Sequence, residues 1–343
     1  MKNISQLSLL IIIIALVITI SCKKEDEKAP DQKLKVAMLA QGFTFDDLSF
    51  LQSCKTGMEQ AKADFGLDVE YNIDTTTDNY QGRIDAFGDQ GFDLIIAIGF
   101  MLNDAVIAAA KLYPNSKFVF VDAELSDAQS NAISVLFDVD EAAFPLGFLS
   151  AWWADSHDNT NPMLGFVGAV DIPQIRQFIE PYGHGAVYYN QMYGKNVGFA
   201  GHYAGDFFNE ELGKDLAENV IGMGADVMFG VGSLTASGAL LKTKELGKVG
   251  LATDVDQYYS FPEVSDILLS CAMKELGNSI YAVIKSFVDS NFNGGGIYTG
   301  KLSNQGVEIA PYHDFENQIP DSIKLEIEAI KQGIVDGSIS TGW

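Results

Sequence analysis

The stretch that decides the fold is DLIIAIGFMLNDAVIAAAKLYPNSKFVFVDAE, residues 93–124. Leu94 to Ile98 is a short apolar run, suited to a strand buried on both faces, and Gly99 ends it. Asn103 or Asp104 can cap a helix whose apolar positions Val106, Ala109, Ala110 and Tyr113 recur at helical spacing. Pro114 and Asn115 stop it. Phe118 to Val121 is a second buried strand, and it ends on a carboxylate, Asp122. A strand–helix–strand unit implies parallel strands joined by a right-handed crossover. Ligands of open α/β sheets bind beyond the carboxyl ends of strands, where Gly99 and Asp122 both fall.

The same pattern extends in both directions. Upstream, Lys35 to Leu39 reads as a strand, Gln41 to Asp47 as a loop and Ser49 to Phe65 as an amphipathic helix. Asp68 to Tyr71 reads as a strand and Tyr80 to Gln90 as a helix. Downstream, Ile133 to Phe137 is a strand, and Ala142 to Ala154 is a helix apolar almost all round, hence buried. The loop DSHDNTNP, residues 155–162, carries strong turn chemistry and leads into a second array. In that array, strands at Leu164–Val167, Asn196–Ala200, Asp226–Phe229 and Val249–Ala252 alternate with helices. The helices fall at Ile172–Asn190, Asn209–Met223 and Thr235–Leu246. Ile267 to Ala272 is a further strand returning towards the first array. A helix at Glu275–Ser290, short strands near Ile297 and Val307, and a helix at Asp321–Asp336 follow. Two βα arrays of four or five strands each predict two doubly wound, Rossmann-like lobes with a ligand cleft between them.

Composition bounds the function. With 343 residues and 47% hydrophobic content, the chain is long enough for two α/β domains with real cores. Its formal net charge of −24 repels phosphate backbones, so nucleic acid is not an expected partner. At the N-terminus, Lys2 precedes an apolar core from Leu9 to Ile20, interrupted only by Thr19 and followed by Ser21-Cys22. That core is short for a membrane span and suits a signal peptide. A small residue followed by Cys resembles the lipobox of bacterial lipoproteins, which predicts cleavage after residue 21 and acylation of Cys22. Residues 23–33, KKEDEKAPDQK, read as a solvated linker. The remaining cysteines, Cys54 and Cys271, lie in apolar-patterned segments and are expected to be buried thiols.

Motifs for enzyme chemistry fail. The chain has no P-loop and no glycine-rich dinucleotide fingerprint after a strand. GVGSLTASG has the wrong spacing for a nucleophile elbow. His157, His184, His202 and His313 are scattered without metal-ligand spacing, so no metal or cofactor is expected. What remains is a ring of strand-end loops: Gln41 to Phe50, Gly99 to Phe100, Asp122, Phe207-Phe208, Gly232 to Ser233, and Asp254. Aromatic faces stack on flat rings, and carboxylates accept hydrogen bonds from paired hydroxyls. The bland alternatives stay open: a strand-end Asp is commonly a turn former, and a lone Phe after a strand is commonly core.

Several ordered motifs resemble the basic membrane protein family of substrate-binding lipoproteins, which includes the purine nucleoside receptors of ABC importers. The family's DDKSFN loop is similar to Asp46-Asp47-Leu48-Ser49-Phe50-Leu51, and its GFVGGMDIP turn to residues 165–173, GFVGAVDIP, followed by Arg176 and Phe178. Ala225-Asp226-Val227-Met228 with Gly232, Thr253-Asp254-Val255-Asp256-Gln257, and Leu269-Ser270 with Lys274 continue the likeness. It covers roughly residues 34–315. The resemblance implies a type I periplasmic-binding-protein fold without catalysis. Lobe 1 would comprise 34–141 plus about 273–305, and lobe 2 would comprise 142–272 plus about 306–343. It implies that Phe50 and Phe207 sandwich a base, that Asp122, Asp254 and Lys274 hold ribose hydroxyls, and that Gly232 offers backbone. The alignment prefers Phe207 to Phe208 and Asp254 to Asp256. It further implies a monomer tethered in the bacterial cell envelope by its lipid, delivering a small molecule to a permease and ATPase on separate chains. The chain departs from the family at Gln41 and Gly42, where the purine receptors place an acidic and an amide group against the base edge. Gln keeps one donor and one acceptor but loses the carboxylate that takes two N–H donors. Leu48 and Leu51 replace the usual Lys and Asn.

Overall fold

The computed structural model describes residues 33–41, 44–46, 50–74, 79–157 and 160–343. The expected signal peptide, Cys22 and most of the linker lie outside the described residues, as do Gly42, Asp47, Leu48 and Ser49.

Two six-stranded sheets organise the chain. The first has the order β2-β1-β3-β4-β5-β11, the second β7-β6-β8-β9-β10-β12. In the first, β1 is Lys35–Gln41, β2 Asp68–Asp74, β3 Leu94–Ile98, β4 Lys117–Val121, β5 Ala132–Phe137 and β11 Ile297–Gly300. In the second, β6 is Met163–Gly168, β7 Gly198–Tyr203, β8 Val227–Val231, β9 Val249–Asp254, β10 Leu268–Lys274 and β12 Val307–Ile309. All pairings are parallel except β10 with β12. The unit read first, β3 to β4, pairs Leu94 with Lys117 through Ile98 with Val121. Both strands are buried along almost their whole length, which is why their sequences read as unbroken apolar runs.

The helices are α1 (Phe50–Phe65), α2 (Tyr80–Asp89), α3 (Asn103–Leu112), α4 (Asp140–His157), α5 (Pro173–Tyr193) and α6 (Glu210–Gly222). They continue with α7 (Ser233–Glu245), the single turn α8 (Gln257–Ser260), α9 (Leu276–Val288) and α10 (Asp321–Val335). The apolar α4 is buried on nearly every residue from Ala142 to Ala154 and packs closely on α5. Glycine makes that approach possible: a Cβ on Gly147 would lie 1.9 Å from the Tyr182 carbonyl oxygen, and one on Gly185 would lie 2.0 Å from that of Phe144.

Four expectations change. Each sheet has six strands, not four or five, because each gains a short edge strand, β11 or β12, from the C-terminal third. The helix after Gly99 is not capped by Asn103 or Asp104. A 3₁₀ turn over Phe100–Leu102 leads into it without a side-chain cap. Asn103 instead donates to Asp104 and to Ser126, tying α3 to the loop after β4. The loop leading into the second array is shorter than 155–162, since α4 runs on to His157, and β6 of the second sheet follows at Met163. The strand read as Ile267–Ala272 runs to Lys274 and stays in the second sheet beside β9.

The three segments joining the sheets are tied to each other. Asp138 N donates to Gly300 O at 2.9 Å, and Leu302 N donates to Glu141 Oε2 at 2.7 Å. Lys301 Nζ lies 2.7 Å from Asp138 Oδ2, and Glu275 N donates to Gly306 O at 2.9 Å.

Candidate functional site

Apart from the edge strands β11 and β12, the two sheets share one connectivity, so each remaining strand end in one lobe has a counterpart in the other. Both have the order in which a ligand is expected at the switch point, between β1 and β3 in one lobe and between β6 and β8 in the other. Gly99 follows β3 with φ 117°, and Gly232 follows β8 with φ 109°. Asp122 follows β4 with φ 68°, and Asp254 closes β9 with φ 72°. Left-handed backbone is rare for residues other than glycine, and Asp tolerates it because its short carboxylate can bond locally. At these ends the turn aims both carboxylates at the seam between the lobes.

They meet at Lys274. This last residue of β10 places Nζ 3.0 and 3.2 Å from the two oxygens of Asp122, across the seam, and 3.1 Å from Asp254 Oδ1 in its own lobe. Its ammonium also lies 5.8 Å from the ring centre of Phe50, the first residue of α1, and 5.4 Å from that of Phe178 on α5. Each lobe therefore supplies one carboxylate and one aromatic face to a single cation. Lys274 is 9% exposed, Asp122 31% and Asp254 28%. Burial lowers the proton affinity of the ammonium, but the two carboxylates outweigh it and hold Lys274 charged above the usual lysine range. Burial pushes the Asp122 carboxyl above the ordinary carboxylate range; Lys274 opposes this and Asp254 adds to it. Because Asp122 keeps nearly a third of its exposure, water screens part of that push.

The counterpart of Lys274 in the first lobe is apolar. Met273 pairs with Asp254 across β9 and β10, and Val121 pairs with Val135 across β4 and β5. The same offset puts Phe137 where the second lobe has Lys274. One lysine thus serves two carboxylates, and the cluster keeps a net negative charge.

The other expected residues form two further groups. Gln41, at the end of β1, donates from Nε2 to Met101 Sδ at 2.9 Å, and its side chain packs against Gly99. At the corresponding place in the second lobe, Gly232 packs against Ala169, and the Phe207 ring lies 3.4 Å from where a Gly232 Cβ would be. Phe207 is half-buried, whereas Phe208 is 69% exposed. Asp256 turns away from Lys274, caps α8 and lies 2.8 Å from His313 Nε2. Among the described residues Phe50 and Phe207 make no ring contact with each other. An open groove of about 310 Å³ at the rim is lined by Gln52 and Thr56 of α1 and by Val255, Asp256 and Tyr259 of the second lobe.

Two contributors were not singled out from sequence. Phe178 sits inside the GFVGAVDIP…R.F motif, but nothing in its spacing marks it as a neighbour of a lysine almost a hundred positions away. Met101 lies between the strand-end Gly99 and the helix cap read at Asn103 or Asp104, a place with no pattern of its own. The described residues contain no group of His, Cys, Asp and Glu able to hold a metal, and no helix long and apolar enough to cross a membrane.

Two doubly wound lobes with facing strand ends define a solute-binding protein of the type I periplasmic fold. A crystal structure of ABC transporter solute-binding proteins from Aeropyrum pernix matches 90% of this chain and 92% of its own, with TM-score 0.77 and 25% identity. The family model for PnrA-like ABC transporter substrate-binding proteins matches residues 33–340, and the chain belongs to that family. An ABC transporter nucleoside-binding protein of Lactococcus lactis is 29% identical over 341 residues, covering 93% of each chain. An uncharacterized lipoprotein of Pyrococcus abyssi is 27% identical over 286 residues, covering 81% of this chain and 70% of its own.

Proposed function

We propose that this ABC transporter substrate-binding protein takes a nucleoside into the cleft between its lobes and delivers it to a permease. The permease and its ATPase are separate chains, and the acylated Cys22 holds the protein at the membrane of the cell envelope. The reading rests above all on Lys274, held between a carboxylate from each lobe. Two carboxylates accept the hydrogen bonds of vicinal hydroxyls, and the ammonium donates to their oxygens. A ribose has both groups; a phosphate would meet the net negative charge of the cluster. Phe50 and Phe207 then flank the base, with the backbone at Gly232 beside it. The Lactococcus relative, named for nucleoside binding, supports the same choice.

Binding shifts the balance between open and closed lobes, since the ligand touches both. The test is a thermal-shift panel of purine and pyrimidine nucleosides, free bases, ribose and hexoses. A ligand at a hundred times its Kd stabilises the fold by about 2.7 kcal/mol. Shifts with nucleosides but not with free ribose are expected. Shifts with sugars alone would keep the transport role and remove the base.

A further inference from the structure

We infer that Phe178 is a positioning residue for the cleft: its ring carries the Lys274 ammonium while that ammonium exchanges hydrogen-bond partners with an arriving ligand. The consequence for binding rests on the nucleoside reading; the contact between ring and ammonium does not.

The two rings beside Lys274 come from counterpart helices. In one lobe α1 follows β1, and in the other α5 follows β6. Phe50 opens α1, and Phe178 lies in the second turn of α5. Their exposure separates their uses. Phe50 is half-buried and can meet a ring in the cleft. Phe178 is 2% exposed and shut off from any ligand, with Lys274 Nζ over its ring, 5.4 Å from the centre. Its surroundings leave that ring little freedom. Just before it, Arg176 donates twice to Asp171 and Gln177 donates to Asp140 at 3.1 Å, which pins the start of α5. Phe229 of β8 meets the ring edge to face at 76°.

The chemistry of the ammonium gives the ring its task. Lys274 has three N–H donors, directed at Asp122 and Asp254. Ligand hydroxyls that bond to these carboxylates take acceptor positions from the lysine, which turns a donor towards a ligand oxygen instead. Hydrogen bonds are directional, so a nearly buried cation loses partners as it turns. An aromatic face attracts a cation without requiring any one N–H to point at it. Phe178 is therefore the partner that Lys274 keeps throughout the exchange. Its weight rises as the ligand displaces water, because the attraction is stronger when desolvated.

The experiment has two arms, both on the full chain. Without ligand, melting temperatures are measured for the parent, Phe178→Leu, Lys274→Met and the double variant. A ring coupled to the ammonium makes Phe178→Leu cost about 2 °C less once Lys274 is gone. Strictly additive losses would overturn the assignment. In the second arm trifluorophenylalanine replaces Phe178, keeping the shape of the ring while withdrawing negative charge from its face; this arm stays decisive if the Leu variants do not fold. Calorimetric titration with adenosine, inosine and guanosine should show affinity lower than the parent's by about three- to tenfold. A role in packing alone predicts unchanged affinity for the fluorinated chain, and that result would also overturn the assignment. Coupling in the first arm with no nucleoside bound by the parent would support the positioning of Lys274 and overturn the nucleoside reading instead.

Discussion

Lys274 carries one positive charge between two carboxylates, and its surroundings predict how the site responds to substitution and pH. Asp122 has a raised proton affinity, so its ionised form is disfavoured in the fold relative to the unfolded chain. Its contribution to stability is therefore full below the ordinary carboxylate value of about 4 and is lost as pH rises through the raised value. Removing this carboxylate should not unfold the protein. Asp122→Asn should weaken ligand binding at least about tenfold, a loss fitting one charge-assisted hydrogen-bond pair, while the melting temperature without ligand stays near that of the parent. Unchanged affinity would remove Asp122 from the site. Ligand hydroxyls need the ionised acceptor, so affinity should fall as pH drops through the raised Asp122 value, above the ordinary carboxylate value of about 4. Lys274, held charged above the lysine range, sets no limit near neutrality. Titrations between pH 4 and 8 should show this acid limb in the parent and lose it in Asp122→Asn.

At the scale of elements, the close crossing of α4 and α5 depends on bare backbone at Gly147 and Gly185. Gly185→Ala puts a methyl group 2.0 Å from the Phe144 carbonyl and should cost about 1–3 kcal/mol, as overpacking does elsewhere. A thermal melt measures it; an unchanged midpoint would mean the helices separate at no cost. This contact was illegible in sequence, although the helices were not: α4 announced itself by apolar residues on every face. The β3–α3–β4 unit was equally legible, because strands buried on both faces leave unbroken apolar runs between turn residues. The strand-end positions of Gln41, Gly99, Asp122, Gly232 and Asp254 followed from the same reading. The short strands near Ile297 and Val307 were legible as well, but not their places as the sheet edges β11 and β12, since each pairs with a strand more than thirty positions away. Nor was the left-handed backbone at Asp122 and Asp254, or Phe178 beneath Lys274. Those depend on the packing of one lobe against the other, which no local pattern encodes.

For the whole molecule, Lys274 of one lobe reaches a carboxylate of the other, and the three joining segments are tied together near Asp138, Glu275 and Lys301. Lys274→Met would leave Asp122 and Asp254 as like charges across the seam. Without ligand, that variant should scatter X-rays with a larger radius of gyration than the parent, and added salt should reduce the difference. Equal radii would show that the ion pair does not hold the lobes together. The most direct test of the central claim is calorimetric titration of the full chain with a nucleoside, its free base and ribose. The account predicts one-to-one binding of the nucleoside, with both fragments much weaker, because only the whole molecule engages the carboxylates and the aromatic faces together. Ribose binding as tightly as the nucleoside, or no heat from any of the three, would contradict it.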